Sequence, residues 1–152
     1  MLNISRYKII AVGKIKKKWI QEGIEMYLKR LPGLEVIELK DTNKIKEEHT
    51  IKEIISKNEI LVTLNENGQS LTSKQLATKL LNFHNQNIIF VIGGASGLPS
   101  FLNNYASWQL SLSPLTFPHE IARLLLIEQL YRAKSITQGS PYHKGQSPCK
   151  RT

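Results

Sequence analysis

Glu128 and Arg132 stand four residues apart, and Pro141-Tyr142-His143-Lys144 follows them. At helical spacing the carboxylate and the guanidinium share one face, in the order that favours an intrahelical pair. Ile121 and Leu125 fall on that face too, so Arg132 is expected to be partly desolvated. A desolvated arginine beside a pocket is a natural ligand for a phosphate or a base. Tyr142, His143 and Lys144 set an aromatic ring, a group that titrates near neutral pH and a cation side by side. In a surface tail such a run is chance. In an enzyme acting on nucleic acid it offers stacking, proton transfer and phosphate contact together.

Two loops complete the set. Gly93-Gly94-Ala95-Ser96-Gly97 lacks the spacing of a dinucleotide fingerprint and has no Gly-Lys-Ser/Thr of a phosphate loop. A nucleophile elbow fails at Leu98. The pentapeptide is either a ligand-free turn or a place where missing side chains let a ligand approach the backbone. Ser111-Leu112-Ser113-Pro114-Leu115-Thr116-Phe117-Pro118-His119 carries two prolines, which forbid a continuous helix or a central strand. It is a plain connection, or a loop that holds a purine by backbone hydrogen bonds between apolar walls. Of the histidines His49, His84, His119 and His143, none has metal-ligand spacing to another His, Cys or carboxylate, so no metal site is expected.

The elements that must position these groups alternate between strand and helix patterns. Tyr7–Val12 reads as a strand closed by Gly13, and Trp19–Leu31 as a helix striped by Ile20, Ile24, Tyr27, Leu28 and Leu31. Leu34–Leu39 is a half-buried strand and Lys44–Lys57 a helix with one wet face. Ile60–Leu64 is a buried strand ending before an Asn67-Gly68 turn, and Thr72 with Gln75 forms a capping box. Ile88–Ile92 is the clearest strand and runs directly into Gly93. A short helix from Pro99 to Tyr105, a strand from Trp108 to Leu112 and a long helix from about His119 to Thr137 complete the chain. Apolar strands alternating with helices predict an α/β fold around a mostly parallel sheet.

The chain has 152 residues, which suits a single domain spanning 1–152, with 145–152 expected to be a flexible tail. Its only cysteine, Cys149, excludes an internal disulfide. No secretory h-region and no membrane-length apolar run occurs, so a cytoplasmic protein without membrane attachment is expected. Lys and Arg number 21 against 12 Asp and Glu, a net charge of +9 that suits a polyanion, above all nucleic acid. Lys14-Ile15-Lys16-Lys17-Lys18 is the one charge run, either a solvated loop or a phosphate contact. From Leu80 to His119 there is no Asp, Glu, Lys or Arg, so that stretch must lie inside the domain or line a pocket.

Ile92–Leu98, Leu115-Thr116-Phe117-Pro118-His119 and Glu128-Gln129-Leu130-Tyr131-Arg132-Ala133, followed by Pro141-Tyr142-His143-Lys144, together resemble the ribosomal RNA large subunit methyltransferase H family. The likeness runs from residue 7 to 144 and includes the opening Ala11-Val12-Gly13-Lys14. It implies a SPOUT-type fold with a C-terminal trefoil knot and S-adenosylmethionine as cofactor. It also implies a homodimer that methylates N3 of a pseudouridine in 23S rRNA on the ribosome. The cofactor residues it implies are Leu64, Gly93, Leu112, Ser113, Pro114, Leu115, Thr116 and Phe117. Methyl transfer to N3 must also remove a proton, and the charge-free segment offers no carboxylate for it. His143 is the expected acceptor, with His119 and Tyr142 as the other candidates. Arg132 is expected to stabilise the developing anion or grip a phosphate, Tyr142 to meet the base, and Lys144 to help bind substrate. The alternative from another class is a basic, non-catalytic ribosome-binding assembly factor, which explains the charge but gives the two loops no purpose. A small-molecule nucleotide-binding enzyme would explain the loops but not the charge.

Overall fold

A computed structural model describes residues 1–56 and 58–144. Cys149 and the tail expected at 145–152 lie outside the described residues. After a short 3-10 turn the order is β1 (Tyr7–Val12), α1 (Lys18–Lys29), β2 (Glu35–Leu39), α2 (Lys44–Ile54), β3 (Ile60–Ser70) and α3 (Ser73–Asn82). There follow β4 (Ile88–Ile92), α4 (Phe101–Tyr105), β5 (Trp108–Ser111) and α5 (His119–Gln138). The five strands form one sheet in the order β2-β1-β4-β3-β5, and every neighbouring pair is parallel.

The period of two along the central strands sorts their side chains onto opposite faces. Ile9, Ala11, Ile88 and Phe90 pack with Ile20 and Ile24 of α1, Leu80 of α3 and Leu126 and Leu130 of α5. Ile10, Ile89 and Val91 face Ile51 of α2 and Leu102 of α4. Both faces of β1 and β4 are therefore covered, which is why those strands read as continuous apolar runs. Full burial of a side chain such as Phe90 contributes about 1.5–3 kcal/mol. Thr72 and Gln75 form the expected reciprocal cap at the start of α3.

Two boundaries differ from expectation by more than two residues. Helix α2 stops at Ile54, because Ile55 turns to an extended conformation and packs on the second core cluster. Strand β3 does not end at Leu64. It swings out at the Asn67-Gly68 signal and returns, so that Leu64 and Gln69 both pair with Leu110 of β5. The Asn65 side chain accepts from the Asn67 amide at 2.9 Å and donates to Gln109 at 3.0 Å, which fixes the excursion. A Cβ on Gly68 would stand 2.7 Å from the Gln109 carbonyl oxygen, so only glycine fits there. The turn chemistry was legible; that the strand resumes beyond it was not.

Candidate functional site

Parallel α/β sheets place ligand sites beyond the carboxyl ends of their strands. Here the Gly93 loop after β4, the mid-strand excursion of β3 and the proline-bearing loop after β5 surround a cavity of about 630 Å³. That volume suits a nucleoside-sized ligand. Its wall contains Leu64, Gly93, Leu112, Ser113, Leu115, Thr116 and Phe117, all expected in the cofactor site, together with His119. Pro114, the remaining residue expected there, is exposed and is not part of the wall.

The glycine loop folds back on itself to make one side of the cavity. The Gly97 amide donates to the Gly94 carbonyl at 3.0 Å, and Gly97 has a φ of 81°, a conformation that favours glycine. A Cβ on Gly93 would lie 2.7 Å from the Gly97 carbonyl carbon and 2.9 Å from the Leu98 nitrogen. Both are backbone atoms that cannot yield without unfolding the loop. The opposite side is pinned by Ser111, whose hydroxyl donates at 3.1 Å to the Glu66 carbonyl, and by Ser113, whose hydroxyl accepts from the Leu115 amide at 3.0 Å.

One feature of the wall was not foreseen. The charge-free stretch brings no acid to the wall, but the β3 excursion adds Glu66, whose carboxylate accepts from the Thr116 hydroxyl. The two residues are far apart in sequence, so only the strand bulge could have announced the contact.

The second constellation assembles at the far end of α5. Glu128 accepts from Arg132 Nη2 at 2.6 Å and Nε at 3.4 Å, from the Tyr142 hydroxyl at 2.7 Å, and from Gln129 Nε2 at 2.8 Å. Arg132 Nη1 lies 2.9 Å from His143 Nδ1, and its guanidinium sits 4.8 Å from the Tyr142 ring centroid. The Glu128 and Arg132 side chains are only 14% and 25% exposed, so this pair is worth more than an open surface pair. The Tyr142 hydroxyl donates a hydrogen bond to Glu128 and accepts one from the Tyr27 hydroxyl of α1 at 3.0 Å, and its ring packs edge-on against Tyr131. In the sequence Tyr27 belongs only to an apolar stripe. A tyrosine on such a stripe still carries a hydroxyl that needs a partner, which is the signal that could have found it.

Electrostatics follow from these contacts. The bonds to Glu128 push Arg132 above its ordinary range, against the effect of burial. Burial, then the bonds to Tyr27 and Glu128, raise the Tyr142 phenol. Burial lowers His143, and the adjacent Arg132 and Lys74 lower it further, so the imidazole is neutral at pH 7. Lys144 is exposed beside the cluster in sequence.

Arg132, Tyr142 and His143 are therefore brought together as expected, and His119 is not among them. It opens α5 in the cavity wall, and at ~1.5 Å per residue Arg132 lies roughly 20 Å further along the helix. Within one chain the cavity and the tail cluster are separate sites.

A family described as predicted SPOUT methyltransferases matches residues 5–143. The chain is 88% identical over 144 residues to a protein of Prochlorococcus marinus (strain NATL2A) named ribosomal RNA large subunit methyltransferase H, covering 95% of this chain and 99% of that protein. Proteins of the same name from Prochlorococcus marinus (strain MIT 9211) and Synechococcus sp. (strain CC9902) are 56% and 55% identical, at 95% and 94% coverage of this chain and 99% of each of theirs. Among solved structures, a probable methylase family protein from Haemophilus influenzae Rd KW20 is similar in fold. Its TM-score is 0.62 at 10% identity, over 94% of this chain and 72% of that one.

Proposed function

The chain belongs to the SPOUT methyltransferase family, and from that premise we propose that it transfers a methyl group from S-adenosylmethionine to N3 of a pseudouridine in 23S rRNA. The observation that carries the reading is the cavity at the Gly93 loop, built as a nucleoside-sized cleft between apolar walls and exposed backbone. The 88% identity to a protein named for methylation of large-subunit rRNA supports rRNA as the substrate. The net charge of +9 supports it independently.

The residues present fit the cofactor. Glycine at 93 lets the backbone of Gly97 and Leu98 close against it along the wall, Leu64, Leu112, Leu115 and Phe117 provide apolar walls, and Ser113 and Thr116 carry hydroxyls. Glu66 sets one carboxylate in the wall, suited to a cationic or hydroxyl-bearing ligand. When bound, S-adenosylmethionine supplies an electrophilic methyl group on a sulfonium. What the chain itself must contribute is position and the removal of the N3 proton.

Arg132 only donates hydrogen bonds, so while it faces Nδ1 the neutral His143 ring carries its proton on Nε2. In that state His143 is a donor. It becomes a proton acceptor at Nδ1 when Arg132 turns to a substrate phosphate or to the developing anion. Substrate engagement by Arg132 and activation of His143 are in this way one event. Tyr142, held as a neutral phenol, is suited to stacking on the base or bonding to it, and Lys144 to a phosphate. His119 in the cavity wall is the second candidate acceptor.

The roughly 20 Å between cavity and cluster along α5 supports a homodimer in which the cavity of one copy meets the tail cluster of its partner. The reading includes a trefoil threading of the C-terminal segment. Its support is the course of α5, which leaves edge strand β5 and returns to the β1 loop, where Arg123 donates to the Gly13 carbonyl at 2.7 Å. Incubation of the protein with ribosomes and methyl-labelled S-adenosylmethionine tests the proposal. Label in large-subunit RNA is the expected result. Cofactor binding without label would move the activity to another substrate, and failure to bind the cofactor would favour the non-catalytic assembly factor.

A further inference from the structure

The basic loop between β1 and α1 has no part in the reaction just described, yet its construction departs from what stability alone would select. Lys14, Lys16, Lys17 and Lys18 are all exposed, and Trp19 next to them is 60% exposed on the first turn of α1. The positive end of a helix favours carboxylates and repels cations. Helix α1 nevertheless begins with Lys17 at its N-cap, without a side-chain capping bond and without an acid in its first turn. Among the described residues none of the four lysines makes an ion pair. Four exposed cations gathered at the positive end of a helix break a local rule, and such breaks mark functional surface more often than defective folding.

The loop is also held rigidly from outside. Glu120 of α5 accepts from the backbone amides of Lys16 at 2.9 Å and Lys17 at 3.1 Å, replacing the missing cap. One turn along, Arg123 donates to the Gly13 carbonyl and pairs with Glu38 of β2, each at 2.7 Å. The ammonium groups stay exposed while the backbone that carries them is fixed. The loop starts at the cavity rim, since a Cβ on Gly13 would lie 3.5 Å from His119 Nε2 in the cavity wall.

Resting on the RNA-methyltransferase reading, we propose that the Lys14–Trp19 loop is an RNA-binding surface that grips the phosphates of an unpaired segment flanking the target nucleotide and stacks one base on Trp19. Closely set cations beside an exposed aromatic ring are what a single strand requires, because phosphates and base faces alternate along it. A second copy of this chain is a poorer occupant, since two such loops brought together would oppose like charges.

The chain has two tryptophans, and Trp108 stacks on Phe83, so Trp108→Phe keeps a ring there and leaves Trp19 as the only indole. Titration of that variant with single-stranded oligouridylate is expected to quench Trp19 emission saturably, with an affinity that falls as salt rises. Each phosphate contact adds ~0.7 to the slope of log affinity against log salt, so replacing all four lysines by glutamine should flatten it by roughly 3. Trp19→Ala, followed by anisotropy of labelled RNA, should bind about tenfold more weakly or worse. Calorimetry with S-adenosylmethionine, expected to be unchanged in each variant, shows that the fold is retained. Unaltered Trp19 emission or an unaltered salt slope overturns the proposal. So does an emission change that follows protein concentration rather than RNA, which would give the face to a second copy. Failure of the wild-type protein to methylate ribosomes would overturn the reaction instead, and the RNA titration would still decide the loop.

Discussion

Replacing Glu128 by glutamine isolates the role of the carboxylate that organises the tail cluster. The amide keeps the volume and one acceptor oxygen, but presents an NH₂ group where Arg132 or the Tyr142 hydroxyl now donates. A hydrogen bond to a charged group is worth about 1.5–3 kcal/mol when shielded, and an exposed helical pair about 0.3–0.5 kcal/mol. With Glu128 14% and Arg132 25% exposed, the loss should fall between these limits, at about 1–2 kcal/mol. For a chain of this size that lowers the melting temperature by roughly 2–8 °C. Turnover should fall much further than stability, because Arg132, Tyr142 and through Arg132 also His143 lose their common anchor. Affinity for S-adenosylmethionine should be retained, since Glu128 takes no part in the cavity wall. Thermal melting, calorimetry and single-turnover methyl transfer on one preparation read all three. Unchanged melting and unchanged turnover would refute the cluster as a coupled unit, and an equal loss of cofactor affinity would assign Glu128 to the cofactor site.

Other perturbations separate the two halves of the site. Arg132→Ala should leave cofactor affinity intact and abolish turnover, and an equal loss of both in calorimetry and methyl transfer would move Arg132 into the cofactor site or the fold. Gly93→Ala should weaken cofactor binding tenfold or more, because its Cβ meets the backbone of Gly97 and Leu98; unaltered calorimetry would show that the loop does not touch the ligand. Burial holds His143 below its ordinary value of 6.5, so as pH falls through 6.5 the unfolded chain takes up the proton first and the folded state loses stability. Melting temperature should therefore drop more steeply on acidification in the wild type than in His143→Gln, and parallel profiles would contradict a desolvated imidazole.

How much of this was legible in the sequence varied with the range of the interaction. Strands such as Ile88–Ile92 and the capped start of α3 follow from local pattern, because a short apolar run and a cap are each decided within a few residues. The Gly93 loop and Leu112–Phe117 were recognisable as unusual segments, since glycine and proline restrict the backbone wherever they occur. That the two loops face one another across a cavity depends on β3 lying between β4 and β5, which no local pattern encodes. Glu66 and Tyr27 escaped notice for the same reason: each acquires its partner from a distant element, Thr116 in one case and Tyr142 in the other. The clamp of Glu120 on the basic loop was equally hidden, because on sequence alone Glu120 is an ordinary acid in the first turn of a helix.

Nucleoside mass analysis of 23S rRNA tests the central claim most directly. Ribosomes lacking the modification would be incubated with the protein and S-adenosylmethionine, and their RNA digested and compared with an untreated sample. The account predicts one new product, a pseudouridine carrying a methyl group on its N3. A methyl group on any other nucleoside, or no methylated product while the cofactor is bound, would contradict it.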